Sequence, residues 1–305
     1  MSNILPHRFK TIAEFHKYRG LPKPEHPLIS VINVELMNEL GVEEFQSIKD
    51  FYSIALKRNI NYKVKYGQSS YDFDEGVMFF MSPGQLVKLT FEKDEPVNQS
   101  GWMLLIHPDF LWNTPLAKAI RQYEYFSYSV NEALFLSEKE EILINGIVQN
   151  MEQEYHANID QFSQTVILAQ LELLLTYADR FYQRQFITRK IANHQILNRL
   201  EDILDEYFRS DNLIQNGLPT VGYIAEVLNI SPNYLSSMLK VLTGQNAQQH
   251  LHNKLIELAK EKLTTTDMSV SEIAYALGFE HSQSFSKLFK NKTDLSPVEF
   301  RQSFN

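Results

Sequence analysis

One pattern occurs twice in this sequence, and it restricts the fold more than any other feature. Residues 269–301, SVSEIAYALGFEHSQSFSKLFKNKTDLSPVEFR, read as a helix, a tight turn and a second helix. Ser269 is placed to cap the first helix, and Glu272, three residues on, completes a capping box. Ile273, Ala274 and Leu277 recur at helical spacing and give that helix one buried face. Gly278 ends it, because glycine enters the left-handed conformation at little cost. Phe279 is positioned to plug the angle between the helices. The second helix buries Phe285, Leu288 and Phe289 and offers His281, Ser282, Gln283, Ser286, Lys287 and Lys290 on its other side. Earlier in the chain, Ile224-Ala225 and Leu228 repeat Ile273-Ala274 and Leu277 at an offset of 49. Residues 234–244 repeat 284–294 at an offset of 50, so the extra residue falls in the turn. A lone unit of this kind is a common helical hairpin. Two in tandem, each with a polar outer helix, suit the DNA major groove: short donors and acceptors for base edges, cations for phosphates.

The charge balance is compatible with that reading only in part. The formal net charge is −8. Residues 212–305 hold 8 Lys+Arg and 8 Asp+Glu, so the deficit sits in the first 211 residues. DNA contact therefore has to come from local basic faces, with Lys240, Lys254, Lys260, Lys262, Lys287, Lys290, Lys292 and Arg301 as the available cations. The chain has no cysteine, which removes disulfides, a thiolate nucleophile and cysteine metal sites. It shows no apolar leader at its start and no run long enough to cross a bilayer, so a soluble, cytoplasmic protein without membrane contact is expected.

Residues 213–305 resemble the DNA-binding domain of AraC-type bacterial transcription regulators. In the first unit the resemblance lies in Ile224-Ala225, Ser231-Pro232, Tyr234-Leu235-Ser236, Leu239-Lys240 and Gly244. In the second it lies in Ile273-Ala274, Leu277-Gly278-Phe279, Phe285-Ser286, Leu288-Phe289-Lys290, Ser296-Pro297 and Phe300-Arg301. Asp294 stands where the family usually has glycine; a small stability cost is expected, because Asp tolerates the left-handed conformation better than most residues. Pro232 suits the first position of a helix capped by Ser231. A connecting helix from about 247 to 263 would be roughly 25 Å long, a spacer that could hold two recognition helices about one DNA turn apart. The expected DNA-facing residues are Ser231, Asn233, Tyr234, Ser236, Ser237 and Lys240 in the first unit. In the second they are His281, Ser282, Gln283, Ser286, Lys287 and Lys290.

The first part of the chain reads differently. After a short helical pattern at 11–18 and the proline-rich LPKPEHP, short strands rich in branched and aromatic residues follow: LISVINV, FYSIALKR, INYKVKY, VMFFMS, QLVKLTF and GWMLLIHP. Turn signals at 66–68, 72–76, 83–84 and 98–101 separate them. Residues 72–85 resemble the glycine-strand-proline-glycine stretch of the cupin-like barrels found at the N-terminus of AraC-type regulators, which often bind a small effector. His7, His26 and His107 are far apart and no His-x-His pair exists, so neither a metal nor another cofactor is expected; His107 reads as a turn residue beside Pro108. The aromatic set Tyr123, Tyr125, Phe126, Tyr128 and Phe135 reads as core or as a seam between strands and helices. Helical periodicity begins at Ser137, which with Glu140 suggests another capping box. A helix from 160, capped by Asp160, to about 186 carries too many apolar residues for one buried face, which suggests a partner helix and a second subunit. The cations of RFYQRQFITRK (180–190) suit a solvated helix end that links to the C-terminal part.

The expectation is an α+β chain in three parts: a cupin-like antiparallel β-barrel over 1–130, a helical dimerisation region over 131–211, and an all-α tandem helix-turn-helix domain over 212–305. The resemblance implies a non-enzymatic regulator with double-stranded DNA as its partner, controlled by an effector whose contact residues are unknown. It also implies a homodimer, with RNA polymerase as a further partner. A metal-dependent cupin enzyme with an appended helical domain, and a constitutive regulator without effector, remain the alternatives at this level.

Overall fold

The computed structural model describes residues 6–37, 44–58, 76–90, 100–129, 132–156, 162–188, 190–209, 213 and 216–303. The strand expected at 60–66, the turn at 66–68, residues 72–75 of the barrel-like stretch, the cap Asp160 and the boundary at 211–212 lie outside them. The chain divides into two compact units, Met1–Gln185 and Phe186–Asn305.

The first unit is built on two sheets. Five strands, β2 (Ile29–Asn33), β4 (Tyr52–Arg58), β5 (Val77–Met81), β7 (Ser100–Ile106) and β8 (Leu134–Phe135), form an antiparallel sheet in the order β2-β7-β4-β5-β8. Three more, β1 (His7–Phe9), β3 (Glu44–Lys49) and β6 (Leu86–Thr90), form a second sheet in the order β1-β3-β6. The β1–β3 pair is parallel, against the expectation of a wholly antiparallel arrangement. A parallel pair needs a long crossover, and the chain between these strands provides one in α1 (Ile12–Tyr18) and β2. Thr11 and Glu14 close a full capping box at the start of α1. Phe9, Phe15, Ile32, Phe51, Ala55, Met103 and Leu105 join the two sheets in one apolar cluster. β4 is buried at six consecutive positions, a sign that both its faces are covered.

After the short α2 (Leu116–Ala119) come α3 (Glu138–His156) and α4 (Ser163–Thr188), whose last residues, from Phe186, belong to the second unit. Tyr125, Phe126 and Tyr128 are buried among Phe80 and Tyr182, with the Tyr125 and Tyr182 rings stacked at 5.4 Å. The Tyr125 hydroxyl donates to the Leu175 carbonyl at 2.8 Å. Burial raises the Tyr125 hydroxyl far above its usual range, so it stays a donor. Ser137 and Glu140 make only half of the expected box: the Ser137 amide donates to the Glu140 carboxylate at 2.8 Å, and the serine hydroxyl donates to the same oxygen at 2.9 Å. The other claim on that carboxylate is Arg184, which donates to both its oxygens at 2.9 and 2.8 Å and to the Phe135 carbonyl at 2.7 Å. Arg184 is therefore a clamp within the first unit, not part of a solvated helix end.

The second unit is all helical: α5 (Lys190–Arg209), α6 (Val221–Leu228), α7 (Pro232–Thr243), α8 (Ala247–Thr265), α9 (Val270–Ala276), α10 (Ser282–Thr293) and α11 (Pro297–Gln302). With sheets in one unit and helices alone in the other, the chain is of the α+β class. Among the described residues no helix is long and apolar enough to cross a membrane.

Candidate nucleic-acid interface

The two helix-turn-helix units, α6–α7 and α9–α10, agree hydrogen bond for hydrogen bond. In the first turn Asn229 takes a left-handed backbone (φ 63°), and the Ile230 amide donates back to Ala225 at 3.0 Å. In the second, Gly278 takes that conformation (φ 80°), and the Phe279 amide donates to Ala274 at 3.0 Å. Both links are offset by 49. The cap residues of the following helices, Ser231 and His281, are offset by 50, so the extra residue is Glu280 in the second turn. Such a schedule closes each first helix by paired backbone bonds to its last carbonyls. Phe279 then packs on Phe285 at 5.5 Å, as an angle-filling residue should.

The repeat holds to the ends of the second helices and past them. Gly244 (φ 76°) and Asp294 (φ 61°) end α7 and α10 in the same left-handed conformation, accepting Asp in the family's glycine position. Thr243 and Thr293 each donate their hydroxyl to the carbonyl four residues back, both at 2.8 Å. Two capping boxes follow, Asn246 with Gln249 at α8 and Ser296 with Glu299 at α11. A third, Ser269 with Glu272, opens α9 as the sequence predicts. Hydrogen bonds from the backbone and hydroxyl of Ser269 hold the Glu272 carboxyl below its usual range, and those of Ser296, hydroxyl first, do the same for Glu299. The signal for the part past 244 and 294 was present in Asn246 and Ser296, cap residues at an offset of 50.

Burial sorts the expected DNA-facing residues. Asn233 and Lys240 on α7 are exposed, as are His281, Gln283, Lys287 and Lys290 on or before α10. Ser236, Ser237, Ser282 and Ser286 are half-buried. Ser231 and Tyr234 turn inward: the Ser231 hydroxyl accepts the Tyr234 amide at 3.2 Å, and the Tyr234 ring meets Phe186 at 5.1 Å. Ile224, Ala225, Leu228, Leu235 and Leu239 form the inner side of the first unit, and Ile273, Ala274, Phe285 and Phe289 that of the second; Leu288 is only half-buried.

The cations divide in the same way. Arg301 donates to the carbonyls of Leu263 (3.0 Å) and Met268 (2.6 Å), tying α11 to the end of α8. Lys254 of α8 pairs with Asp205 of α5. Lys292 donates to Asn253 at 3.0 Å, and Lys260 lies 5.8 Å from the centre of the Phe300 ring. These four hold helices together, which sequence reasoning had no means of telling from solvated charges. Both units pack on α8, whose 19 residues span about 28 Å. Among the described residues, no three His, Asp or Glu side chains converge as a metal would require. His107 caps a short helical turn, its Nδ1 accepting the Asp109 amide at 3.3 Å.

Residues 224–303 match the family model described as a helix-turn-helix domain. The chain is 30% identical over 110 residues to an uncharacterized HTH-type transcriptional regulator, YijO, of Escherichia coli K12, covering 36% of each protein. It is 29% identical over 160 residues to the HTH-type transcriptional activator RhaS of Enterobacter sp. 638, covering 52% of this chain and 53% of that one. The alignments thus span about a third to a half of these relatives' lengths. Among solved structures, the C-terminal domain of the two-component response regulator yesN from Fusobacterium nucleatum is 31% identical, over 34% of this chain and 95% of that one, with a TM-score of 0.30. The turn geometry, the repeated caps and the family match agree: the C-terminal part of this chain is a helix-turn-helix domain of the AraC type.

Proposed function

We propose that the chain is a sequence-specific DNA-binding transcription regulator and not an enzyme, with α7 and α10 as its recognition helices. The observation that carries this reading is the tandem unit itself: two turns closed by equivalent backbone bonds, each followed by a helix with an exposed polar face. Asn233 with Ser237, and Gln283 with Lys287, lie four residues apart and so share a face. Asn and Gln suit adenine, and Lys suits guanine. Lys240 and Lys290, one turn further on, suit phosphates. The name of the relative RhaS supports transcriptional control as the output. In this reading residues 1–130 sense a small effector, 131–211 dimerise and 212–305 bind DNA, and RNA polymerase is contacted at the promoter from the cytoplasm. Dimerisation is supported by α4, whose Phe162 flank, Val166 and Leu173 are 61%, 40% and 43% exposed and fall at helical spacing along one stripe.

The test is selection of binding sites from random duplexes with the full chain, followed by titration of the enriched duplex against a scrambled one. Enrichment of a motif with two half-sites about one helical turn apart is expected. Equal affinity for both duplexes over a salt series would remove the sequence-specific reading. Sedimentation at micromolar concentration should give a dimer that Leu173→Glu converts to a monomer; a wild-type monomer would rule out the α4 interface.

A further inference from the structure

The two recognition helices are held apart by α8, and one side chain of α8 is bonded to the ends of both. α7 and α10 each pack on α8, whose apolar side is Leu251, Leu255, Ile256, Ala259 and Leu263. Apolar burial holds helices together but is not directional. Hydrogen bonds are directional, and Asn253, half-buried on α8, makes two of them to different helix-turn-helix units. Its amide nitrogen donates to Gln245 Oε1 at 2.7 Å, and its Oδ1 accepts from Lys292 Nζ at 3.0 Å. A lysine can only donate, so a single orientation of the Asn253 amide satisfies both neighbours.

The two partners occupy comparable places. Gln245 follows Gly244, the left-handed residue that ends α7, and Lys292 lies just before Thr293 and Asp294, where α10 ends in the same conformation. Asn253 therefore joins the C-terminal ends of the two recognition helices through side chains alone. On the α7 side a second bond reinforces the link: the Thr243 hydroxyl lies 2.7 Å from His250 Nε2, which ties the last residue of α7 to the turn of α8 before Asn253. On the α10 side the residue fifty positions after His250 is Phe300, and it packs on Phe289 of α10 at 5.4 Å instead. Asn253 carries the polar link onward from α8 to α10.

The separation of the recognition helices matters because DNA is itself helical. One base pair added between two sequence elements moves them about 3.4 Å apart and turns one about 35° round the axis relative to the other. A domain whose helices are fixed accepts one spacing, and a domain whose helices shift accepts several. We propose that Asn253 is a positioning residue that fixes the separation of α7 and α10, and so restricts the DNA to one spacing between the two elements that a single chain reads. This rests on the reading of α7 and α10 as recognition helices.

Binding of the full chain to the selected duplex, and to versions with one base pair inserted or removed between the two elements, tests this. The wild type should lose at least about tenfold for either change. Asn253→Ala puts a good helix former in α8 and should keep the wild-type circular dichroism. It should bind the selected duplex within about threefold of the wild type, and its loss on the altered spacings should shrink to about threefold or less, in line with the modest worth of single hydrogen bonds. Gln245→Ala and Lys292→Met each cut one bond and should act in the same direction. Asn253→Asp is the rescue: its carboxylate accepts from Lys292 and from the Gln245 amide once that amide is turned over, so the wild-type spacing penalty should return. The proposal is overturned if Asn253→Ala weakens all spacings by one factor, as a residue that only stabilises the domain would, or if it leaves every affinity unchanged. A wild type that prefers the selected duplex to a scrambled one yet tolerates altered spacing would overturn it too, with the sequence-specific reading intact. Equal affinity for the selected and scrambled duplexes would sink both.

Discussion

The two helix-turn-helix units share a backbone plan and differ in what they do with it. The first is the better anchored. Its second helix starts at a serine cap with proline in the first turn, and its Tyr234 is buried against Phe186, while Ser284, fifty residues on, is exposed. α10 starts at His281 with no side-chain cap, yet leaves Lys287 and Lys290 on its surface where α7 carries only Lys240; Lys292 is taken up by Asn253. The first unit turns Ser231 and Tyr234 inward, while the matching positions of the second, His281 and Ser284, stay exposed. The difference teaches that a repeated fold need not mean repeated surroundings: the second unit leaves more cationic surface exposed, and the first is tied more firmly to its neighbours.

The largest expected break in the comparison is at the turns. A Cβ on Gly278 would lie 3.1 Å from Leu213 Cδ2 and 3.2 Å from backbone atoms of Gly217 and Leu218, at a φ of 80°. Gly278→Ala should therefore cost about 2–4 kcal/mol by denaturant unfolding, from left-handed strain plus crowding. Asn229→Ala, at the equivalent turn, should cost no more than about 1–2 kcal/mol. Equal losses at the two sites would mean that the turns are not differently packed.

Base reading comes next. Gln283→Ala should cost about 1–3 kcal/mol at the selected duplex and relax preference at one position. If it weakens the selected and scrambled duplexes alike, the base-reading role of this face of α10 is wrong. Caps should produce smaller changes of opposite sign. Ser231→Ala removes a used cap and should lose about 1 kcal/mol, whereas His281→Ser adds a missing one and should gain up to about 1 kcal/mol. The smallest effects concern phosphates. Lys240→Ala and Lys290→Ala should each lower the slope of log affinity against log salt by about one, across all sequences. A slope that does not change would return either lysine to the solvated surface.

Much of the C-terminal domain was legible in the sequence because its determinants are local. Capping boxes, left-handed stop residues and apolar spacing act within a few residues of one another, so Ser269, Gly278 and the one-residue longer turn could be placed from the chain alone. The strands β2, β4, β5, β6 and β7 were likewise visible as branched and aromatic runs. By contrast, β1, β3 and β8 were not: they are short, or mixed in composition, and exist because a neighbouring strand pairs with them. The parallel β1–β3 pair depends on partners 40 residues away, which no local signal encodes.

The residues misread in the sequence share one physical cause. A lysine or arginine has the same letter whether water or a carbonyl receives its charge. Arg301, Lys254 and Arg184 had the look of surface cations, and Tyr234 that of a groove contact, until chain segments tens of residues apart were brought within hydrogen-bonding and packing distance. The sequence by itself determined that two helix-turn-helix units exist, where each begins and ends, and which helix faces are polar. Only the tertiary structure decided which of those polar groups the fold consumes, because burial is a property of what packs around a residue and not of the residue.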